Sequence, residues 1–179
     1  NVLDHVLNKI APFLGEDRPF IQALAYCADE KGTEDRNGRL LDELRVILHG
    51  THTSAYATFS SHARPIGHSL RFYGTKNTAM VDFAARTVTL ERKATFPSAA
   101  GRLVPPFLSA KDYLRQGLKN VNSFSHARFH YFDGMRRLLT EFYQCIEQDS
   151  AVPISYAEIL RVSAMMDEIF QQVYPEVRA

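Results

Sequence analysis

The sequence predicts an α+β fold, a predominantly antiparallel open β-sheet with helices packed on one face. From residue 41 to residue 92, short segments alternate apolar and polar residues, the pattern of half-buried strands. Links of two to four residues join most of these segments, and connections so short can only produce antiparallel pairing. Segments with helical spacing flank this region on both sides, which is the order of elements in an α+β protein.

The chain opens with an amphipathic helix and a strand. Apolar residues from Leu3 to Leu14 recur at helical spacing, and Gly15 can provide a left-handed C-cap. Residues 20–28 are rich in apolar and aromatic residues, which favours a strand. The polar stretch 29–39 contains two glycines and predicts a loop.

Five alternating runs follow, and together they predict a meander. Gly50 and Thr51 indicate a tight hairpin after the first run. Asn77 lies in the link before the fourth run, where it can take the positive φ of a short hairpin. The first run begins at Leu41, and the others cover 51–63, 68–74, 78–83 and 87–92.

Helical periodicity returns in the last third of the chain. Helices are predicted at 110–119 and 128–148, and a third begins with the capping box Ser155 to Glu158. The second helix carries an apolar stripe that we expect to be buried, made of Phe132, Met135, Leu139, Phe142 and Ile146.

Composition excludes several classes of function. The 179 residues contain 21 Lys+Arg and 20 Asp+Glu, so the chain has no basic field for nucleic acid. No run approaches the ~18 apolar residues of a membrane span. Cys27 and Cys145 form no C-x-x-C motif, so we expect two buried thiols in a reducing, cytoplasmic compartment.

The nine glycines cannot form a nucleotide cradle, because no two of them stand two residues apart. The chain also starts inside an apparent helix, without Met. We therefore expect residues 1–179 to be a single substrate-side domain of a longer polypeptide, whose dinucleotide-binding domain precedes it.

Three motifs resemble, in their order and spacing, the C-terminal domain of the Gfo/Idh/MocA oxidoreductases, the glucose-fructose oxidoreductase and inositol dehydrogenase family. The first is Asn1 to Asn8, similar to D-x-x-x-H-x-x-D, followed by Phe13-Leu14-Gly15. The second is 70–82, LRFYGTKNTAMVD, similar to a G-T-K-G-T hairpin that ends in Asp. The third is 142–158, which contains F-x-x-x-I and P-x-S-x-x-E.

The resemblance implies a substrate-binding and dimerisation domain that works with a Rossmann domain holding NAD or NADP. The substrate would be a sugar, a cyclitol or a nucleotide sugar, and the open sheet face would form a homodimer or tetramer. By register, His5 matches the proton relay or general base, with Asp4 and Asn8 beside it as substrate-binding residues. Asn1 and Asn8 replace two acidic positions of the family, so the carboxylates that would orient the imidazole are missing.

Further candidates for substrate binding lie at predicted element ends. Arg64 and Arg128 could form bidentate bonds to the phosphate of a nucleotide sugar, and His68 and His130 lie near them in sequence. Ordinary surface positions remain the alternative for these residues. The histidines at 49, 52, 62 and 68 match no metal-ligand spacing, which favours solvated side chains over a zinc site.

Two functional classes remain open. In one, the chain is the substrate half of a nicotinamide-dependent dehydrogenase, inactive by itself because hydride transfer needs the cofactor domain. In the other, it is a free-standing binding or dimerisation module of the same fold without catalysis.

Overall fold

The computed structural model describes residues 3–15, 18–27, 34–35, 38–39, 41–92, 97, 100–128 and 132–174. The chain divides into two compact units. We call residues 1–63 with 141–179 the terminal unit, and residues 64–140 the central unit. That residues 1–179 form a single domain stays a prediction.

Helices and antiparallel strands make up the described residues, which confirms the predicted α+β class. The helices are α1 (Leu3–Ile10), α2 (Ala100–Ser125), α3 (Asp133–Gln148) and α4 (Tyr156–Val173), and a 3-10 turn (Ala11–Phe13) follows α1. The strands are β1 (Phe20–Tyr26), β2 (Glu34–Asp35), β3 (Gly38–Arg39), β4 (Glu43–His49), β5 (Ser54–Ser60), β6 (Ser69–Tyr73), β7 (Asn77–Asp82) and β8 (Thr87–Arg92).

The terminal unit is an antiparallel sheet of order β1-β4-β5, with one face covered by α1 and α4. Its register places Ile21 opposite Leu48 and Ala57 opposite Val46, so small and large apolar side chains share the covered face. Burial follows the strand period of two and the helical spacing of α1. The buried apolar residues are Leu3, Leu7, Ile10, Ala11, Leu14, Ile21, Val46, Leu48, Ala57, Val162, Met165 and Ile169.

Two glycines fix the close approach of the turn after α1 to the β4–β5 hairpin. Gly15 has φ +85°, the left-handed conformation predicted for the C-cap. A Cβ on Gly50 would lie 1.9 Å from the carbonyl oxygen of Leu14, so no other residue fits there without a shift of the backbone. The hairpin turn spans four residues and is closed by the bond from Gly50 N–H to Thr53 O (2.9 Å).

The edge strand β1 is capped by a side chain of α4. The Gln172 amide accepts a hydrogen bond from Ala23 N–H (2.8 Å) and donates one to Ile21 O (2.9 Å). The glutamine thus occupies main-chain groups that a further strand would otherwise use.

The central unit is an antiparallel sheet of order β6-β7-β8 with α2 against β8. Gln116 of α2 bonds both the N–H and the carbonyl oxygen of Val88, and Asn120 Nδ2 donates to Ala85 O (2.8 Å). The helix is therefore attached to the edge of the sheet and to the β7–β8 turn. In that turn Arg86 has φ 51°, and Asp82 Oδ1 accepts from two main-chain N–H groups.

The strands differ from the predicted meander in how they are grouped. β4 pairs with the distant β1 on one side and with β5 on the other, whereas β6, β7 and β8 form a sheet of their own. The predicted loop 29–39 contains the two-stranded ladder β2–β3. Asn77 is the first residue of β7 and is not among the residues with positive φ, so that prediction was wrong; the left-handed residue lies in the next turn, at Arg86.

Two helices differ from their predicted extent or environment. α2 is 26 residues long and passes through Pro105 and Pro106, although each proline removes a main-chain hydrogen bond. α3 begins at Asp133, and its apolar stripe is exposed, with Phe132 at 66% and Ile146 at 63%. The prediction that this stripe is buried was wrong, because helical spacing indicates an apolar face but supplies no surface to cover it.

Helix ends agree with the predicted capping chemistry where the cap is formed by residues next to the helix end. Ser155 Oγ accepts a hydrogen bond from Glu158 N–H (3.2 Å), which confirms the start of α4. Ala127 and Asp149 adopt positive φ after α2 and α3. The bonds from Arg128 N–H to Ser123 O and from Ser150 N–H to Cys145 O close these ends in the Schellman manner.

Candidate functional site

His5 lies on the solvent side of α1. The helix buries Leu3, Leu7 and Ile10 against the terminal unit, and this spacing turns position 5 outward. Within the described residues the imidazole forms no hydrogen bond, so both ring nitrogens are open to a ligand or to water.

Asp4 and Asn8 lie beside His5 but are not directed at it. Asn8 Nδ2 donates to the main-chain oxygen of Asp4 (2.8 Å), a contact within one helical turn. Asp4 Oδ1 is buried and has no hydrogen-bond partner among the described residues. The side chains predicted to surround the proton relay therefore share one helix with it, without holding its ring.

The other predicted site residues belong to the central unit. Arg64 lies in the loop before β6, and His68 directly precedes β6, where its ring lies 4.7 Å from that of Phe83. Arg128 follows α2 and is exposed. These three residues lie in loops or at element ends, and their role in substrate binding stays a prediction. His130 lies outside the described residues, as does Asn1.

A polar pair that the sequence did not single out lies at the open end of the terminal sheet. His62 Nε2 and Asp42 Oδ2 are 2.6 Å apart, and the Cys27 thiol lies 3.8 Å from the same oxygen. The Asp42 side chain is 14% exposed and that of His62 is 51% exposed. The carboxylate therefore orients the imidazole and leaves Nδ1 on the accessible side.

A second carboxylate, Glu43, is buried next to this pair. It accepts hydrogen bonds from Ser60 Oγ and from Arg45 Nη2 (2.7 Å). The bond from Ser60, followed by the bond from Arg45, lowers the pKa of Glu43 from its ordinary value, against the opposing effect of desolvation. Glu43 reciprocally raises the pKa of Arg45. The network holds the start of β4 to the end of β5.

This cluster could have been predicted from the sequence if the register between β4 and β5 had been known. Asp42 and Glu43 begin one strand, while Ser60 and His62 end the next. An antiparallel hairpin brings the start of its first strand to the end of its second. Pairing Glu43 with Ser60 would therefore have predicted the contact.

Three of the four histidines considered for zinc make separate contacts. His49 Nδ1 bonds Ser54 Oγ (2.7 Å), while His62 bonds Asp42 and His68 stacks on Phe83. Within the described ranges, no three His, Cys, Asp or Glu side chains are grouped to hold a metal ion.

The uncovered face of the terminal sheet is apolar and aromatic. Phe20 is 65% exposed and Tyr56 is 63% exposed, and Leu24 and Ile47 share their face. At one end of this face the Arg45 guanidinium lies 5.9 Å from the centre of the Tyr26 ring. Aromatic rings beside a charged group can bind a polyol or another protein surface.

Neither a protein-family model, nor a curated protein, nor a solved structure matches the chain. None of the helices in the described part of the chain is both long enough and apolar enough to cross a membrane.

Proposed function

We propose that this chain is the substrate-binding and oligomerisation domain of an NAD(P)-dependent oxidoreductase that acts on a hydroxyl or carbonyl group of a sugar, cyclitol or nucleotide sugar. The observation that carries the proposal is the exposed imidazole of His5 on a helix whose other face is buried. An imidazole, which can accept or donate a proton, is thus offered to a ligand from a fixed backbone, as proton transfer requires.

The division of tasks follows from the residues. NAD or NADP would supply the hydride acceptor or donor and would be bound mainly by another domain, because no glycine pair here can cradle a pyrophosphate. His5 would take or return the proton of the reacting hydroxyl group. Arg64, His68 and Arg128 remain candidates for contacts to the substrate.

The uncovered face of the terminal sheet supports the oligomerisation part of the proposal. Exposed apolar residues lie on all three strands of this face, among them Leu24, Ile47 and Tyr56. We expect light scattering at tens of micromolar to report a homodimer or tetramer, since a standard interface is occupied in that range. A monomer at this concentration, with the same mass for wild type and Tyr56→Glu, would contradict this part of the proposal.

Cofactor use is tested on the full-length protein by fluorescence titration with NADH and NADPH. Saturable binding of either nucleotide, followed by turnover with a polyol or its keto form, is the expected result. Failure of both nucleotides to bind would overturn the proposal.

The role of His5 is tested by substitution in the same protein. We expect His5→Ala to lower kcat by about 10²-fold or more, the size of a lost general-base contribution. His52→Ala is the matched control, because His52 is an exposed histidine in the β4–β5 turn. Turnover of His5→Ala within a factor of two of wild type would assign His5 to structure.

A specific observation favours the alternative, a free-standing binding or dimerisation module without catalysis. Asn8 is bonded to the Asp4 main chain, so neither flanking side chain orients the imidazole. A module of this kind would form the oligomer in light scattering but would bind neither NADH nor NADPH in the fluorescence titration.

We also propose a reducing, cytoplasmic setting. Cys27 and Cys145 are not joined by a disulfide bond, and both are half-buried. Cys145 Sγ donates to Ala151 O (2.9 Å), a contact that suits a reduced side chain.

A further inference from the structure

β5 forms an open edge of the terminal sheet. In the order β1-β4-β5, it has β4 on one side and no neighbouring strand of the described residues on the other. A sheet edge presents a row of main-chain N–H and C=O groups that a further strand can bind. Proteins usually protect such edges with charged side chains, prolines, bulges or a covering segment.

The outward main-chain groups of β5 follow from the hydrogen bonds at the two ends of the β4–β5 hairpin. Gly50 N–H donates to Thr53 O and Ser61 N–H donates to Asp42 O, both at 2.9 Å. Bonded and unbonded pairs alternate along an antiparallel ladder. The odd-numbered residues of β5 therefore bond β4, and its even-numbered residues direct their N–H and C=O groups away from β4.

The outward main-chain groups of Tyr56 and Thr58 are available for binding. No hydrogen bond within the described residues uses them. Both residues are exposed, so water bonds these groups in the isolated chain and another strand can replace that water.

The other edges of the two three-stranded sheets each have a protective feature that β5 lacks. Gln172 bonds main-chain groups of β1, and Gln116 bonds those of Val88 on β8. β6 is five residues long and has Arg71 at its centre. The seven residues of β5, SAYATFS, include neither a charged residue nor a proline. Among these edges, β5 is therefore the one least protected against pairing.

The sequence of β5 is complementary to itself in the reverse direction. In an antiparallel pair centred on Ala57, the outward groups of Tyr56 meet those of Thr58 of a second copy. Ala55 lies opposite Phe59 in the same register, so a small side chain faces a large one. The two-fold pair thus matches outward groups with outward groups and brings no like charges together.

We propose that β5 pairs edge to edge with β5 of a second copy of this chain, in the antiparallel register centred on Ala57. The joint sheet has six strands, and its two outer edges are the β1 strands capped by Gln172. Growth of this sheet therefore stops at two copies. The inference rests neither on the proposed oxidoreductase activity nor on a contact between uncovered sheet faces, since it uses the edge of β5.

Amide hydrogen exchange tests the pairing on the unmodified protein at about 0.5 mM, well above the range in which a standard interface is occupied. We expect the protection factors of the Tyr56 and Thr58 amides to exceed that of the Arg71 amide by about tenfold or more. Arg71 is the matched reference, because the β6–β7 ladder directs its N–H outward at the edge of β6. Equal protection of the three amides would overturn the proposal.

Dilution distinguishes a second copy from a segment of the same chain as the occupant of this edge. The protein is diluted until light scattering reports a monomer, and exchange over β5 is then followed by mass spectrometry. We expect the protection of the outward amides to be lost, because the partner has dissociated. Protection that persists in the monomer would show that the same chain covers β5, and the proposal would be wrong.

Three variants locate the contact, with the dimer Kd measured by sedimentation velocity. Thr58→Pro removes an outward N–H group and no bond to β4, a position where edge strands tolerate proline. We expect it to raise the Kd about tenfold or more, because the ladder between the copies loses a bond near its centre. Thr58→Val keeps the N–H group and should stay within about threefold of wild type.

Leu24→Glu changes the uncovered face on β1 and leaves the edge of β5 intact, so its Kd should also stay within about threefold of wild type. Loss of the dimer in Leu24→Glu together with an unchanged Kd in Thr58→Pro would place the contact on the sheet face and overturn edge pairing. Far-UV circular dichroism checks that Thr58→Pro is folded. If it is not, the exchange of Tyr56 and Thr58 in the unmodified protein decides.

Discussion

The terminal and central units each contain a three-stranded antiparallel sheet, but they differ in what covers it. In the described residues, every buried apolar side chain belongs to the terminal unit. In the central unit the buried residue is Thr87, and Val88 and Leu90 are exposed although they alternate like core positions. Alternation along a strand therefore indicates which face can be buried, and the covering helices decide whether it is.

The covering helices differ in where they come from and in what they contact. α1 and α4 lie near opposite ends of the chain and both pack on the terminal sheet. α2 contacts β8, at the edge of the central sheet, through the amide of Gln116, and the β7–β8 turn through the amide of Asn120. Two amphipathic helices close a core on the terminal sheet, whereas edge contacts by themselves leave the apolar face of the central sheet uncovered.

The two units treat their edge strands alike. Gln172 bonds Ile21 and Ala23 on β1, and Gln116 bonds Val88 on β8. In both cases the glutamine amide supplies one donor and one acceptor, the pair that a neighbouring strand would offer. Edge protection and core formation are thus separate properties of these sheets.

The largest contrast is expected from matched leucine truncations. Leu48→Ala removes a fully buried side chain of the terminal core and should cost about 2–5 kcal/mol in the free energy of unfolding. Leu90→Ala in the central unit should cost less than about 1 kcal/mol, because that side chain is 41% exposed. Urea unfolding measures both values. Equal costs would mean that the central sheet face is covered in solution, which would remove the difference between the units.

A smaller difference between the units is expected in how one carboxylate of each unit contributes to the free energy of unfolding as the pH falls. The pKa of Glu43 is lowered in the folded state, so its contribution to stability is complete above its unfolded pKa of about 4.3. That contribution is lost as pH falls through the lower, folded pKa. Glu43→Gln should therefore be less stable than wild type at neutral pH, and the difference should shrink in acid.

Glu91→Gln is the control for this measurement, since the Arg71–Glu91 pair in the central unit is exposed on both sides. Urea midpoints from pH 7 to pH 3 test both variants. A difference between Glu43→Gln and wild type that grows in acid would contradict the expected direction.

The smallest effect is expected from the edge glutamines. Gln172→Ala and Gln116→Ala each remove two hydrogen bonds to an edge strand, and water can replace part of them, so each should cost about 1 kcal/mol or less. Amide hydrogen exchange should accelerate at Ala23 in the first variant and at Val88 in the second. Acceleration over an entire sheet would show that the glutamine supports the whole unit and does more than cap its edge.

Features encoded within one or two turns of chain were predictable. Gly15 after α1 and Ser155 before α4 follow from capping chemistry that involves only neighbouring residues. The antiparallel pairing of β6 with β7 follows from the short link between them. His5 was chosen from the resemblance of residues 1–8 to a family motif, and the burial of Leu3 and Leu7 shows that its side of α1 faces out.

Features that depend on distant partners were not predictable in this way. The exposed stripe of α3 has the same periodicity as a buried one. The Asp42–His62 pair and the bonds of Glu43 to Arg45 and Ser60 required knowledge of the strand register. The predicted oxidoreductase activity, its cofactor and its partners remain proposals.

By itself, the sequence determined the α+β class, the antiparallel pairing within hairpins and the ends of several helices, since these depend on dihedral preferences and hydrogen bonds between near neighbours. Only the tertiary structure decided that β1 joins β4, that the strands form separate sheets, and which apolar faces are covered. Those choices depend on the free energy of burying surfaces brought together from distant parts of the chain. A local sequence pattern does not identify the segment against which it will pack.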